Sequence, residues 1–321
     1  DLVPAFGRSV VEFMDLPLLT GQEDQPWAPR VVAYQGPWPG AVNVFEDDGS
    51  GGFDLNLQVT TPAAMGELVA PLFSGPLWRW DEGNEIFLDM YGAEQLLSKS
   101  EASVLNGANA LAVRNPLTAR WEVLQFQTAD LLDSRRYRLR RLLRGQLGTE
   151  QEMANPVPAG SRVVLIDQTV LQTLDITLSE VGSELELRYG PASVPTSDER
   201  YTTEARTFNA VGLLPYAPVH LRAGRVDGDI NLSWVRRTRY NGDAWNIPEV
   251  PLNEESEAYE IDIMDGSDVV RTLTSNSPSV TYESADEVED FGASQTLLTF
   301  RVAQISATIG RGRETEATRD V

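Results

Sequence analysis

Apolar and polar residues alternate along much of this chain, and a period of two is the spacing of a strand with one buried face. Phe53, Leu55, Leu57 and Val59 alternate with Asp54, Asn56 and Gln58. Runs rich in β-branched and aromatic residues predict further strands at 31–34, 42–45, 86–91, 122–126, 162–167 and 184–189. The stretch Glu46–Gly52 turns from acidic to glycine-rich and predicts a hairpin loop between two of these runs. Helix signals are few. Thr61 offers a capping hydroxyl and Pro62 a first-turn proline, so a short helix is predicted over 61–69, bounded by Pro71 and Gly75. The segment Leu131–Leu143 fits either a leucine stripe on a helix or alternation through Tyr137, Arg138, Leu139 and Arg140; the surrounding β pattern favours strand.

Gly190–Arg200, rich in Pro, Ser and Thr, reads as a loop, and 213–218 reads as an interdomain hinge. The expected organisation is therefore a β-rich region over 1–215, in one or two subdomains, followed by a second domain over 216–321. In the second domain, 219–223 alternates, Asp227-Gly228-Asp229 makes a turn, and Ile230, Leu232 and Trp234 fall on one face of the next strand. Strands follow at 259–263, 269–273, 280–282 and 298–305, and a hairpin at Gly310–Gly312 leads into 314–318. Pro218 before the first strand, Trp234 on the second, the Phe300–Ala303 run and the Gly310/Gly312 turn resemble a fibronectin type III module. That resemblance implies a two-sheet sandwich with Trp234 in its core. The stretch Arg236–Glu257 departs from the pattern as a long insertion. The fold class expected is all-β: a β-rich region with one short helix, then a fibronectin type III-like sandwich.

With 321 residues and 41% apolar composition, the chain can build two or three real cores. Its longest apolar runs, such as Val163–Ile166, are far too short to span a membrane. It starts Asp1-Leu2-Val3-Pro4, without an initiator Met, which suggests a fragment or a processed chain. The charge, 26 basic against 48 acidic residues for a net of −22, repels nucleic acid and anionic membranes. Cysteine is absent, which removes disulfides, thiolate metal sites and cysteine nucleophiles together.

Candidate chemistry is sparse. The single histidine, His220, opens a predicted strand, and no serine sits in a nucleophile-elbow context, so no catalytic triad is expected. Asp81 and Glu82 beside Trp78 and Trp80 combine carboxylates with aromatic platforms and form a candidate glycan contact; the plainer reading is a polar turn after an aromatic stretch. The loop at Glu46–Gly51 lacks the alternating ligands and closing Glu of a calcium loop, and no phosphate loop is present. No metal, cofactor or catalytic residue is expected. One basic island, Arg135, Arg136, Arg138, Arg140, Arg141 and Arg144, is the candidate interface or DNA contact; pairing with acidic surface on this or a neighbouring subunit is the alternative.

More specific strings lie at Leu16–Leu19, Pro37–Val42 and above all Leu142-Leu143-Arg144-Gly145-Gln146-Leu147-Gly148-Thr149-Glu150. Together with His220–Ala223, Leu232–Arg239 and Arg301–Ser306, they resemble the large baseplate hub or tail-tip protein of gene transfer agents and related siphophages. The resemblance implies a C-terminal piece of that protein, on an extracellular particle assembled in the host cytoplasm. It implies a homotrimer, contacts with distal tail and tail-fibre proteins, and a host glycan or receptor as target. It also implies a part in DNA delivery, without stable nucleic-acid binding or a membrane span. The competing readings are a secreted carbohydrate-binding or glycan-degrading module and a bacterial surface adhesin.

Overall fold

The computed structural model describes residues 7–21, 23–93, 95–240, 242 and 250–321. The chain start at Asp1–Pro4 and part of the expected Arg236–Glu257 insertion lie outside them. The chain divides into two compact units, Asp1–Gly212 and Leu213–Val321.

Among the described residues the first unit carries, in chain order, strands β1 (Val10–Met14), β2 (Arg30–Tyr34), β3 (Val42–Asp47), β4 (Phe53–Val59), β5 (Met65–Leu68) and β6 (Ile86–Met90). Helix α1 (Glu101–Leu105) follows. Then come β7 (Ala110–Arg114), β8 (Trp121–Asp133), β9 (Arg136–Gln146), β10 (Arg162–Leu165), β11 (Gln172–Thr173), β12 (Glu184–Pro191) and β13 (Thr202–Thr207). The ambiguous segment 131–143 is strand: it contains the end of β8, a tight turn and most of β9.

Six strands close into an antiparallel barrel in the order β10-β5-β6-β9-β8-β7. Closure leaves no unpaired sheet edge. The interior is filled by Leu68, Leu88, Leu111, Leu124, Phe126 and Leu139, with Val163 from β10. Each such side chain removed from water contributes about 1.5–3 kcal/mol.

The helix expected over 61–69 is β5 instead. Gly66 explains the outcome: a Cβ there would meet the Asp89 carbonyl oxygen of β6 at 2.1 Å, so the glycine is present for close strand approach. Met65 and Leu68 gain more from pairing with β10 and β6 than an isolated two-turn helix could supply. Among the described residues two short α-helices lie elsewhere, and none lies at this position. In α1, the Ser100 hydroxyl accepts the Ser103 amide at 3.2 Å and caps the helix.

Alternation also organises the layers of the first unit. The three-stranded sheet β1-β2-β11 uses both faces. Phe13, Val31 and Ala33 pack with Val42, Val44, Leu187 and Tyr189 of the four-stranded sheet β13-β12-β3-β4. Met14 and Val32 point the other way, onto Met65, Ala112, Val123 and Val164 on the barrel's outer face. Buried Glu12 of β1 joins that second layer, accepting from Arg162 of β10 at 2.8 Å with Arg114 of β7 3.6 Å away. In the β3–β4 hairpin loop, Asp48 accepts the Ser50 and Gly52 amides at 2.7 and 3.0 Å. On β4 only Val59 is fully buried, and Leu55 is 55% exposed, because the ladder slips between Val44 and Phe45 and β4 is an edge strand.

The second unit is a sandwich of β14 (Val219–Val226), β15 (Asp229–Val235), β16 (Tyr259–Asp265), β17 (Asp268–Ser275), β18 (Ser279–Tyr282), β19 (Leu297–Ser306) and β20 (Gly310–Asp320), with α2 (Ser284–Phe291) after β18. One sheet runs β14-β15-β18 and the other β17-β16-β19-β20, the all-β sandwich that the sequence predicts. Ile230, Leu232 and Trp234 share the core with Ile261, Phe300 and Val302, and Trp234 meets Tyr259 edge-on at 5.0 Å.

Candidate functional site

The string Leu142–Glu150 builds one corner of the barrel. Along β9, Tyr137 and Leu139 face the interior while Arg136, Arg138 and Arg140 face outward. Arg141 has φ +53, which breaks the alternation, so Leu142 also turns inward despite its even number. Three residues on, Arg144 is completely enclosed. Its Nε and Nη2 donate to the two carboxylate oxygens of Glu122 at 2.7 and 2.8 Å, and Nη1 donates to the Phe73 carbonyl at 2.8 Å. Glu122 lies on β8 in phase with Leu124 and Phe126, which line the barrel interior. The ion pair therefore sits inside one end of the barrel. Such a bidentate pair is well matched in geometry, and losing either partner would strand a buried charge.

The rest of the string closes this corner. Gly145 has φ +56, and a Cβ on it would lie 2.7 Å from the Glu150 Cα, so both the conformation and the space call for glycine. The fully buried Thr149 hydroxyl accepts the Val123 amide at 2.9 Å and donates to the Gln146 carbonyl at 2.7 Å.

The loop from Phe73 to Asn84 is pinned over the same corner. Asp81 is buried; it pairs with Leu142 through two backbone hydrogen bonds and stands 3.7 Å from Arg144. Its carboxylate also accepts the Gly83 amide, the Asn84 amide and the Asn84 side chain at 3.1, 3.0 and 2.8 Å. Of the candidate glycan residues, Asp81 is thus enclosed by structural donors. Trp80 lies under Arg141, 4.6 Å from its guanidinium carbon, and Glu82 accepts from the same arginine at 2.8 Å. Trp78, at φ +57, stands 68% exposed and apart from this set.

The basic island is largely met by carboxylates of the same chain. Arg136 grips Asp89 with two bonds of 2.7 Å, and this hydrogen bonding holds the Asp89 carboxyl below its ordinary range. Arg138 and Arg140 converge on Asp130, which is held low first by the hydrogen bond from Arg138. Arg141 also reaches Glu101 at 3.3 Å and bonds Gln127. Arg135 differs: its contact is the Tyr91 carbonyl at 2.7 Å. The sequence reading missed Glu122, Asp89 and Asp130 as partners. Only Glu122 left a local signal, as a lone charge in phase with Leu124 and Phe126 on an apolar strand. His220 sits exposed on a bulge of β14 at φ +54. Among the described residues no group of three or more acidic or histidine side chains is placed to hold a metal ion, and no helix is long and apolar enough to cross a membrane.

Residues 63–164 match the family model described as Rcc01698-like, C-terminal. The match begins just before β5 and ends within β10, so it covers all six strands of the closed barrel and its Arg144–Glu122 corner. No curated protein matches the chain. Among solved structures, the rat CD45 extracellular region, domains d3-d4, is similar at 11% identity over 49% of this chain and 72% of that one, with a TM-score of 0.25. A cytokine receptor complex is similar at 10% identity over 74% and 90%, with a TM-score of 0.24. The chicken interferon gamma receptor alpha chain is similar at 11% identity over 80% and 98%, also with a TM-score of 0.24. Likeness at this level carries no argument about fold or role.

Proposed function

We propose that this chain is a structural, non-catalytic part of the tail-tip or baseplate hub of a gene transfer agent or related siphophage. The observation that carries the reading is a coincidence of position. The family match at 63–164 and the Leu142–Glu150 string, which resembles the hub protein, fall on one barrel, and the string forms its buried corner. In this role the barrel is a rigid assembly module, and the C-terminal sandwich is an appendage that spaces or presents other parts of the tip.

The electrostatics support passage of DNA without capture. Five of the six arginines in the basic island are paired with carboxylates of the same chain. A net charge of −22 therefore repels a polyanion moving past the protein. The partners in this reading are copies of the same chain, arranged as a homotrimer, and the distal tail and tail-fibre proteins. Image averaging of the assembled tip, together with sedimentation of the isolated chain, tests the reading. Threefold symmetry in the tip is expected; twofold symmetry, or none, would contradict it.

A further inference from the structure

Away from the barrel corner, an open cleft of about 310 Å³ lies on the first unit, lined by Arg8, Val10, Tyr34, Gln35 and Gly36 with Tyr91 and Arg135. Its charge is unlike that of the rest of the chain. Among the described residues two arginines line it and no acidic residue does, although acidic residues outnumber basic ones 48 to 26 overall.

Arg135 is held by a neighbouring backbone carbonyl rather than by a hydrogen-bonded carboxylate, and Arg8 stands exposed at the cleft's edge. Gln35, only 2% exposed, accepts the Ser9 hydroxyl at 2.7 Å and donates to the Gly7 carbonyl at 2.7 Å. One buried amide thus ties down the Gly7 carbonyl and the Ser9 hydroxyl, on either side of Arg8. Arg135, in the β8–β9 turn, donates one Nη1 hydrogen to the Tyr91 carbonyl, and its own carbonyl accepts the Met90 amide at 2.9 Å. The remaining guanidinium donors of Arg135 are left for another acceptor. The walls between the arginines are apolar. The Tyr34 hydroxyl is turned onto the Tyr91 carbonyl at 2.9 Å, and the two rings lie 5.7 Å apart. Arg162, 5.0 Å from the Tyr91 ring, and the bond from the Tyr91 hydroxyl to Glu67 fix that ring in turn.

Two arginines beside an aromatic wall match a ligand with a carboxylate at one end and an apolar ring face behind it. We propose that this cleft binds a small carboxylate-bearing ring compound, its carboxylate between Arg8 and Arg135 and its ring against Tyr34 and Val10. The site is independent of the assembly role proposed above. Carboxylated rings come as sugar acids and as aromatic acids, so glucuronate and benzoate serve as separate probes, with glucose, benzamide and acetate as comparisons.

Calorimetric titration of the full chain tests the proposal. Saturable binding of glucuronate or benzoate is expected, at least tenfold tighter than that of its uncharged counterpart and of acetate. Whichever acid binds more tightly identifies the ring chemistry. Arg8→Ala and Arg135→Ala should each weaken binding at least tenfold with an unchanged far-ultraviolet circular dichroism spectrum. Arg79→Ala, at an exposed arginine outside the cleft, should leave it unchanged. The proposal is overturned if neither acid binds, if acetate binds as well as both, or if the Arg8 and Arg135 variants retain full affinity.

Discussion

Arg144 and Arg136 stand in one basic run of sequence, yet the fold gives them opposite environments. The positive φ at Arg141 lies between them and reverses which face of β9 meets the barrel core. Arg136 consequently makes an exposed pair with Asp89, while Arg144 is enclosed with Glu122. Exposed pairs contribute about 0–1 kcal/mol, whereas removing one partner of a buried pair costs about 3–5 kcal/mol. Arg144→Ala should therefore lower the stability of the first unit by about 3–5 kcal/mol in urea denaturation, with Arg136→Ala within about 1 kcal/mol of the parent. Equal effects would show that the corner does not depend on the ion pair. In the sequence the arginine cluster was legible, and Glu122 stood out as a charge on an apolar strand, but which carboxylate meets which arginine was not legible. Asp89 and Glu122 are brought to Arg136 and Arg144 by strand pairing, and no local pattern announces that pairing.

A second residue-scale prediction concerns the sandwich. The Glu287 carboxylate accepts Arg225 at 2.8 and 2.9 Å and the Gln295 amide at 2.7 Å, and the Arg225 hydrogen bonds hold its carboxyl below the usual range. Asp290 is held low in the same way by Arg271. With folded values below unfolded ones, the unfolded chain binds more protons in this window. The stabilisation is present above the ordinary carboxylate range and is lost as pH falls through the depressed values. Arg225→Met should accordingly lose less stability between pH 7 and pH 3 than the parent does; urea denaturation at both pH values measures the difference.

Among the elements, β5 shows where local signals mislead. Thr61 and Pro62 carry a genuine capping pattern, yet Met65–Leu68 joins two barrel strands because Gly66 lets β5 lie against Asp89. Gly66→Ala should force the two backbones apart and cost about 1–3 kcal/mol, read from the urea midpoint. An unchanged midpoint would mean that the close approach is not required. The other strands were legible because a half-buried strand must alternate, and the turn at Asp227-Gly228 was legible because it requires positive φ, +53° and +102° here. The helices were harder to read, since each is short and set by its ends: Ser100 caps α1, and Gly292 at φ +76 ends α2. In the candidate site, the Leu142–Glu150 string was conspicuous as sequence, but its role as a buried corner depends on the Arg141 turn and on Glu122 from another strand.

At the scale of the whole molecule, three features bear on one role. The barrel is closed and internally ion-paired, the second unit is an all-β sandwich, and the net charge of −22 opposes retention of nucleic acid. A closed barrel without sheet edges would suit the proposed assembly role, since it offers no open edge for unwanted strand pairing. The family match at 63–164 falls on the barrel and not on the sandwich. The most direct test of the hub reading is electron microscopy of particles carrying a label at the C-terminus of this chain. The hub reading predicts label at the distal end of the tail; label on the capsid would contradict it.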